Sequence, residues 1–103
     1  MAQTDTIVES KTNLKEAVKE PPMFKLIYLN DNQTSMEFVI ETLVEFFEYT
    51  PTTAHDITLD IHESGSATVA VLPYELAEQK GIEITLAARS QNYPLQIKIE
   101  ADS

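Results

Sequence analysis

Apolar residues recur along this chain in runs whose spacing changes from strand-like to helical and back. Phe24 to Leu29 is a short run of β-forming residues. Met36, Val39, Ile40, Leu43, Phe46 and Phe47 then recur every three or four positions, while Glu37, Glu41, Glu45 and Glu48 fall on the opposite side, so the segment reads as an amphipathic helix with a solvated acidic face. A second helix starts at Thr50-Pro51, because proline is favoured at the first helical position; it turns Ala54, Ile57 and Ile61 inward and stops at Gly65. Ser66 to Leu72 is again β-like. Pro73 opens a third helix as far as Arg89, with Leu76, Ala77, Ile84 and Ala88 as its inner stripe and Gly81 as a weak point. Leu95, Ile97 and Ile99 alternate with Gln96 and Lys98, the period of a half-buried strand. The order strand-helix-helix-strand-helix-strand predicts an α+β domain, a three-stranded antiparallel sheet with three helices on one face.

Residues 1–20 break this patterning. Their scattered Ile7, Val8, Leu14 and Val18 offer too little apolar surface to offset the entropy of ordering, so a flexible tail is expected over 1–20 and a core domain over 21–103. The whole chain has 103 residues, enough for one modest core. Its formal charge of −10, from 17 acidic against 7 basic residues, argues against nucleic acid, whose phosphates need Lys and Arg to release counterions. There is no cysteine, hence no disulfide, thiolate nucleophile or Cys-based zinc site. No apolar run approaches the roughly 20 residues of a membrane helix, and no signal or transit pattern opens the chain. A soluble, cytoplasmic, monomeric protein is expected.

The stretch YLNDNQTSMEF, Tyr28 to Phe38, concentrates the candidate chemistry. Asn30, Asp31 and Asn32 place side-chain oxygens where a strand ends, and Thr34 with Glu37 forms a T-x-x-E capping box ahead of Met36. Asn and Asp at such a position suit a turn that bonds its own backbone as well as a ligand site. His62, near the end of the second helix, suits the helix dipole as well as a ligand. Catalysis and metal binding find no support: there is no G-x-S-x-G elbow and no phosphate-cradling glycine loop, and His55 and His62 are seven apart rather than four. Neither an enzyme, a cofactor nor a metal site is expected.

With PPMFKL (Pro21 to Leu26), LNDNQTSMEFVIETL (Leu29 to Leu43), Phe46-Phe47, His62 with Gly65, YELAEQK (Tyr74 to Lys80) and YPL (Tyr93 to Leu95) in this order, the sequence resembles the ClpS family. Those proteins are adaptors that capture the destabilising N-terminal residue of a substrate protein and hand it to a Clp AAA+ unfoldase. The resemblance implies that Asn30, Asp31, Asn32, Thr34 and His62 bind the N-terminal amine and peptide, and that Met36, Val39, Thr58, Ile61 and Leu95 form the side-chain pocket. It further implies that Glu75 and Lys80 dock on the N-terminal domain of the unfoldase. This fits the chemistry of an α-ammonium, which has three donors and no acceptor and therefore needs oxygens or a neutral imidazole nitrogen. The first side chain needs an apolar slot, since burying Leu or Phe contributes roughly 1.5 to 3 kcal/mol.

Two positions depart from the family pattern. Asn32 stands where a second aspartate is usual, which removes a negative charge beside the ammonium. Thr58 stands where a methionine is common, which predicts a wider and less apolar pocket floor. An alternative to N-terminal capture is therefore a regulatory inhibitor that docks on the unfoldase but captures substrates poorly.

Overall fold

The computed structural model describes residues 21–102. The tail expected over 1–20 lies outside the described residues. The elements are β1 (Met23–Leu29), α1 (Met36–Phe47), α2 (Pro51–Ser64), β2 (Ser66–Pro73), α3 (Tyr74–Ser90) and β3 (Gln96–Ala101). This is the predicted order. The sheet runs β2-β1-β3, with both pairs antiparallel, so β1 is central and the other two are edges.

Leu26 and Tyr28 of β1 are fully buried and share one cluster with Phe38, Val39 and Leu43 of α1, Ala54 and Ile61 of α2, and Ala77, Ile84 and Ala88 of α3. The alternate residues Lys25 and Ile27 point to the other side of the sheet, where Ile27 is flanked by its cross-strand partners Thr68 and Lys98. The pairing of β1 with β2 shifts between Leu26 and Ile27, which leaves Val69 as an extra residue. Its side chain is buried, and its carbonyl accepts a 2.6 Å bond from the Tyr49 hydroxyl.

Each helix has a local cause. α2 has Thr50 as N-cap, Pro51 in its first turn and Gly65 at φ 91° as its left-handed C-cap. α1 differs from expectation at its start: the N-cap is Ser35, whose Oγ accepts from Phe38 N at 3.1 Å, so the Thr34–Glu37 capping box does not form. Thr34 is engaged by Asp31 instead. α3 begins at Tyr74, with Pro73 as an N-cap that lacks a side-chain bond. Its inner stripe is Ala77, Gly81, Ile84 and Ala88, and Leu76, expected inside, is exposed. Small residues let this helix approach the sheet so closely that a Cβ on Gly81 would lie 3.8 Å from Ile97 Cγ2. In α2, Ile57 is only half-buried, and Thr58 takes an inner place beside Ala54 and Ile61. Among the described residues, no helix is long and apolar enough to cross a membrane.

Candidate functional site

The site begins where β1 ends. Asp31 folds the loop on itself: its Oδ1 accepts from Gln33 N and Thr34 N, both at 2.7 Å, and its Oδ2 accepts from the Thr34 hydroxyl at 2.8 Å. Partial burial of this carboxyl pushes its pKa upward, but the Thr34 and Gln33 backbone donors, the Thr34 hydroxyl and the charge of Arg89 outweigh that and hold it below its ordinary 3.8. The acceptor capacity of Asp31 therefore goes mainly to the loop, as in the turn chemistry that its sequence allowed.

Neighbouring Asn30 is tied to the far helix, since its backbone N–H donates to Gly65 O at 2.9 Å. Gly65 can offer that carbonyl because its left-handed backbone ends α2 there. His62 lies less than one turn earlier, so the cap brings its ring to the same rim as Asn30. Both residues are exposed.

Below this rim is a cleft lined by Asn30, Asp31, Thr34 and His62 at its polar side and by Leu29, Met36, Val39, Thr58, Ile61 and Leu95 elsewhere. Nine of the ten residues expected at the site thus converge. The exception is Asn32, which sits exposed on the loop and is not part of the lining. Val39, Ile61 and Leu95 are buried, whereas Met36 is 38% exposed at the mouth. The cleft is narrow, with a free volume of about 20 Å³, room for about one water. A side chain entering the cleft must therefore displace part of its lining, and Met36, unbranched and 38% exposed, is the lining residue best suited to give way.

Thr58 alters the expectation of a less apolar floor. Its hydroxyl donates to Ala54 O at 2.8 Å within α2, so its one donor is satisfied inside the helix rather than offered to the cleft. Another hydroxyl chain supports the opposite wall. Thr42 Oγ1 donates to Val39 O at 2.7 Å, so the 2.8 Å contact between Tyr28 and Thr42 is a bond donated by the Tyr28 phenol.

Sequence reasoning missed Leu29, Arg89 and Tyr93. The Arg89 Nη1 donates to Tyr93 O at 2.8 Å and Leu95 O at 2.9 Å, clamping the turn that carries Leu95 into the cleft. Within that turn Asn92 adopts φ 66° and Tyr93 N returns to Ala88 O. The Tyr93 ring lies against Phe38, centroids 5.1 Å apart, which joins the turn to α1.

The two residues expected to dock a partner stand apart from the cleft, on α3. Glu75 is exposed in its first turn. Lys80 Nζ donates to Phe46 O at 3.0 Å and lies 5.7 Å from the centre of the Phe47 ring. It thus caps the carbonyl end of α1, where a cation is favoured.

A family profile described as "ATP-dependent Clp protease adaptor protein ClpS" matches residues 19–98. The chain is 38% identical over 102 residues to the ATP-dependent Clp protease adapter protein ClpS of Maricaulis maris, covering 95% of this chain and 94% of the relative. It is 36% identical to that of Campylobacter jejuni, covering 99% and 100% respectively. Among solved structures, Agrobacterium tumefaciens ClpS2 bound to L-phenylalaninamide superposes with a TM-score of 0.77 at 31% identity, covering 81% of this chain and all of that one.

Proposed function

Because the chain belongs to the ClpS family of ATP-dependent Clp protease adaptors, we propose that its cleft captures the N-terminal residue of substrate proteins and that the domain delivers them to a Clp AAA+ unfoldase. The observation that carries this reading is the convergence of Asn30 and His62 at one rim with an apolar slot of Met36, Val39, Ile61 and Leu95 beneath. An α-amino terminus presents this same combination, an ammonium next to one side chain. L-phenylalaninamide, bound by the Agrobacterium relative, has a free α-amine and a benzyl group.

Within the site, Asn30 and His62 accept from the ammonium, and Asp31 holds the loop and adds negative charge nearby. Thr34 positions the following peptide unit. Met36 guards the mouth and meets the ligand's Cβ. Glu75 on the exposed first turn of α3 faces the N-terminal domain of the unfoldase, with Lys80 fixing the seat of that helix on α1. Capture is non-covalent, so no catalytic group is required. The adaptor works as a monomer in the cytoplasm, and residues 1–20 serve hand-over.

A reconstituted degradation assay tests this. A reporter starting with Phe should be degraded by the Clp protease only when the adaptor is added, and Glu75→Lys should slow degradation without changing peptide affinity. An adaptor that binds the unfoldase but leaves the Phe reporter intact would favour the inhibitor reading.

A further inference from the structure

Three consecutive residues of β3, Gln96, Ile97 and Lys98, line one trough together with Leu29, Thr85 and Arg89. Successive strand side chains point to opposite faces, so three in a row share a trough only where it follows the strand's edge. β3 is an edge strand, and among the described residues its outer backbone groups have no partner strand. Between trough and cleft lies a hollow lined by Leu29, Asn30, Asp31, Pro94 and Gln96. It shares Leu29, Asn30 and Asp31 with the cleft, and Leu29 and Gln96 with the trough, so the three make one path. The hollow measures about 230 Å³ and the trough about 380 Å³, so both are roomier than the cleft.

The path also changes sign. In a chain of net charge −10, only Lys25, Lys80, Arg89 and Lys98 are basic after Pro21, and two of these line the trough. Arg89 uses Nη1 on Tyr93 O and Leu95 O, which leaves its other guanidinium donors available. Lys98 is exposed and pairs with Glu100 at 2.8 Å. Of the carboxylates, Glu100 pairs with Lys98 and Asp31, at the cleft end, feels the charge of Arg89.

We propose that this trough takes up the residues that follow the captured N-terminus, as a short strand added to the edge of β3, and that Arg89 and Lys98 favour acidic side chains there. The inference rests on N-terminal capture by the cleft. Register fixes which residues are involved: Leu29 pairs with Gln96 and Ile27 with Lys98, so Lys98 lies three rungs from Asn30, about 10 Å at 3.3 to 3.4 Å per residue. An extended chain with its amine at Asn30 brings its third or fourth residue to Lys98. Strand addition supplies main-chain hydrogen bonds, and the flanking charges supply preference.

The test uses free-amine peptides with a common Phe-Ala start and either Glu, Gln or Lys at residues three to five, titrated by fluorescence anisotropy against the full chain and against Lys98→Glu and Glu100→Gln. The expected order is Glu tightest and Lys weakest, about two- to fivefold apart per contact at low salt, shrinking in 0.5 M salt. Lys98→Glu should reverse the order, and Glu100→Gln, which frees Lys98, should widen it. Equal binding of all three peptides, or an unchanged order in Lys98→Glu, overturns the trough while leaving N-terminal capture intact. Failure of every free-amine peptide to bind removes capture itself, and the trough with it.

Discussion

Replacing Asp31 by asparagine separates the two roles a carboxylate can have in this loop, holding it or touching the ligand. Asp31 accepts three bonds of 2.7, 2.7 and 2.8 Å. Bonds to a charged acceptor contribute roughly 1.5 to 3 kcal/mol each, against roughly 0.5 to 1.5 for neutral pairs. Asparagine keeps one oxygen for the Gln33 and Thr34 N–H groups but loses the charge and turns an N–H₂ group toward the Thr34 hydroxyl. Because the group is half-exposed, solvent screens much of the difference, and the loop should lose about 1 to 2 kcal/mol. That free energy corresponds to about five- to thirtyfold faster amide hydrogen exchange at Gln33 and Thr34, with Leu26 and Leu43 unaffected. Affinity for a Phe-started peptide should fall by no more than the same factor. The pH dependence follows from the lowered pKa. The carboxylate's contribution is complete above its ordinary 3.8 and is lost as pH falls through the lowered value. The Gln33 and Thr34 amide resonances should therefore titrate in acid in the parent and not in Asp31→Asn. Unchanged exchange at both amides would refute the loop-holding role, and lost affinity with unchanged exchange would make Asp31 a direct ligand.

Three further changes probe other parts of the structure. Gly81→Ala should raise stability by about 0.5 to 1 kcal/mol, read as a Tm increase of a few degrees, because the added Cβ meets Ile97 and Ile99 at ordinary contact distances of 3.8 and 3.9 Å. Met36→Ala should improve binding of peptides starting with Ile or Val relative to Leu, since it removes bulk at the mouth beside the ligand's Cβ; competition titrations would show an unchanged Leu-to-Ile ratio if Met36 is not the gate. Asn32→Asp should strengthen free-amine binding by no more than about fivefold, because the residue is exposed and outside the cleft lining and exposed charge pairs contribute only about 0.2 to 1 kcal/mol; a gain well beyond tenfold in calorimetry would place Asn32 at the amine.

Much of this architecture was legible because periodicity reports burial directly. The change from helical to two-residue spacing around Leu95 marked the last strand, and Thr50-Pro51 and Gly65 bounded α2 through backbone preferences that few other residues share. The start of α1 was ambiguous in a specific way. Thr34 and Ser35 are adjacent hydroxyl residues that both suit a cap, and the choice fell to Ser35 because Asp31 engages Thr34 by backbone and side chain alike. Leu76 was misplaced because hydrophobicity alone suggested burial, whereas α3 is seated through its small residues Ala77, Gly81 and Ala88. Arg89 left no trace in the sequence pattern, since both its partners are backbone carbonyls, which any residue supplies.

The most direct measurement of the central claim is isothermal calorimetry with two peptides identical except for the N-terminus, one Phe-started with a free amine and one acetylated. Acetylation removes the ammonium and leaves the benzyl group, so it isolates the polar rim of Asn30 and His62 from the apolar slot. N-terminal capture predicts saturable one-to-one binding of the free-amine peptide and none of the acetylated one at the same concentrations. Equal binding of both would show that the cleft recognises an apolar side chain wherever it occurs, and would contradict the reading of this protein as a receptor for protein N-termini.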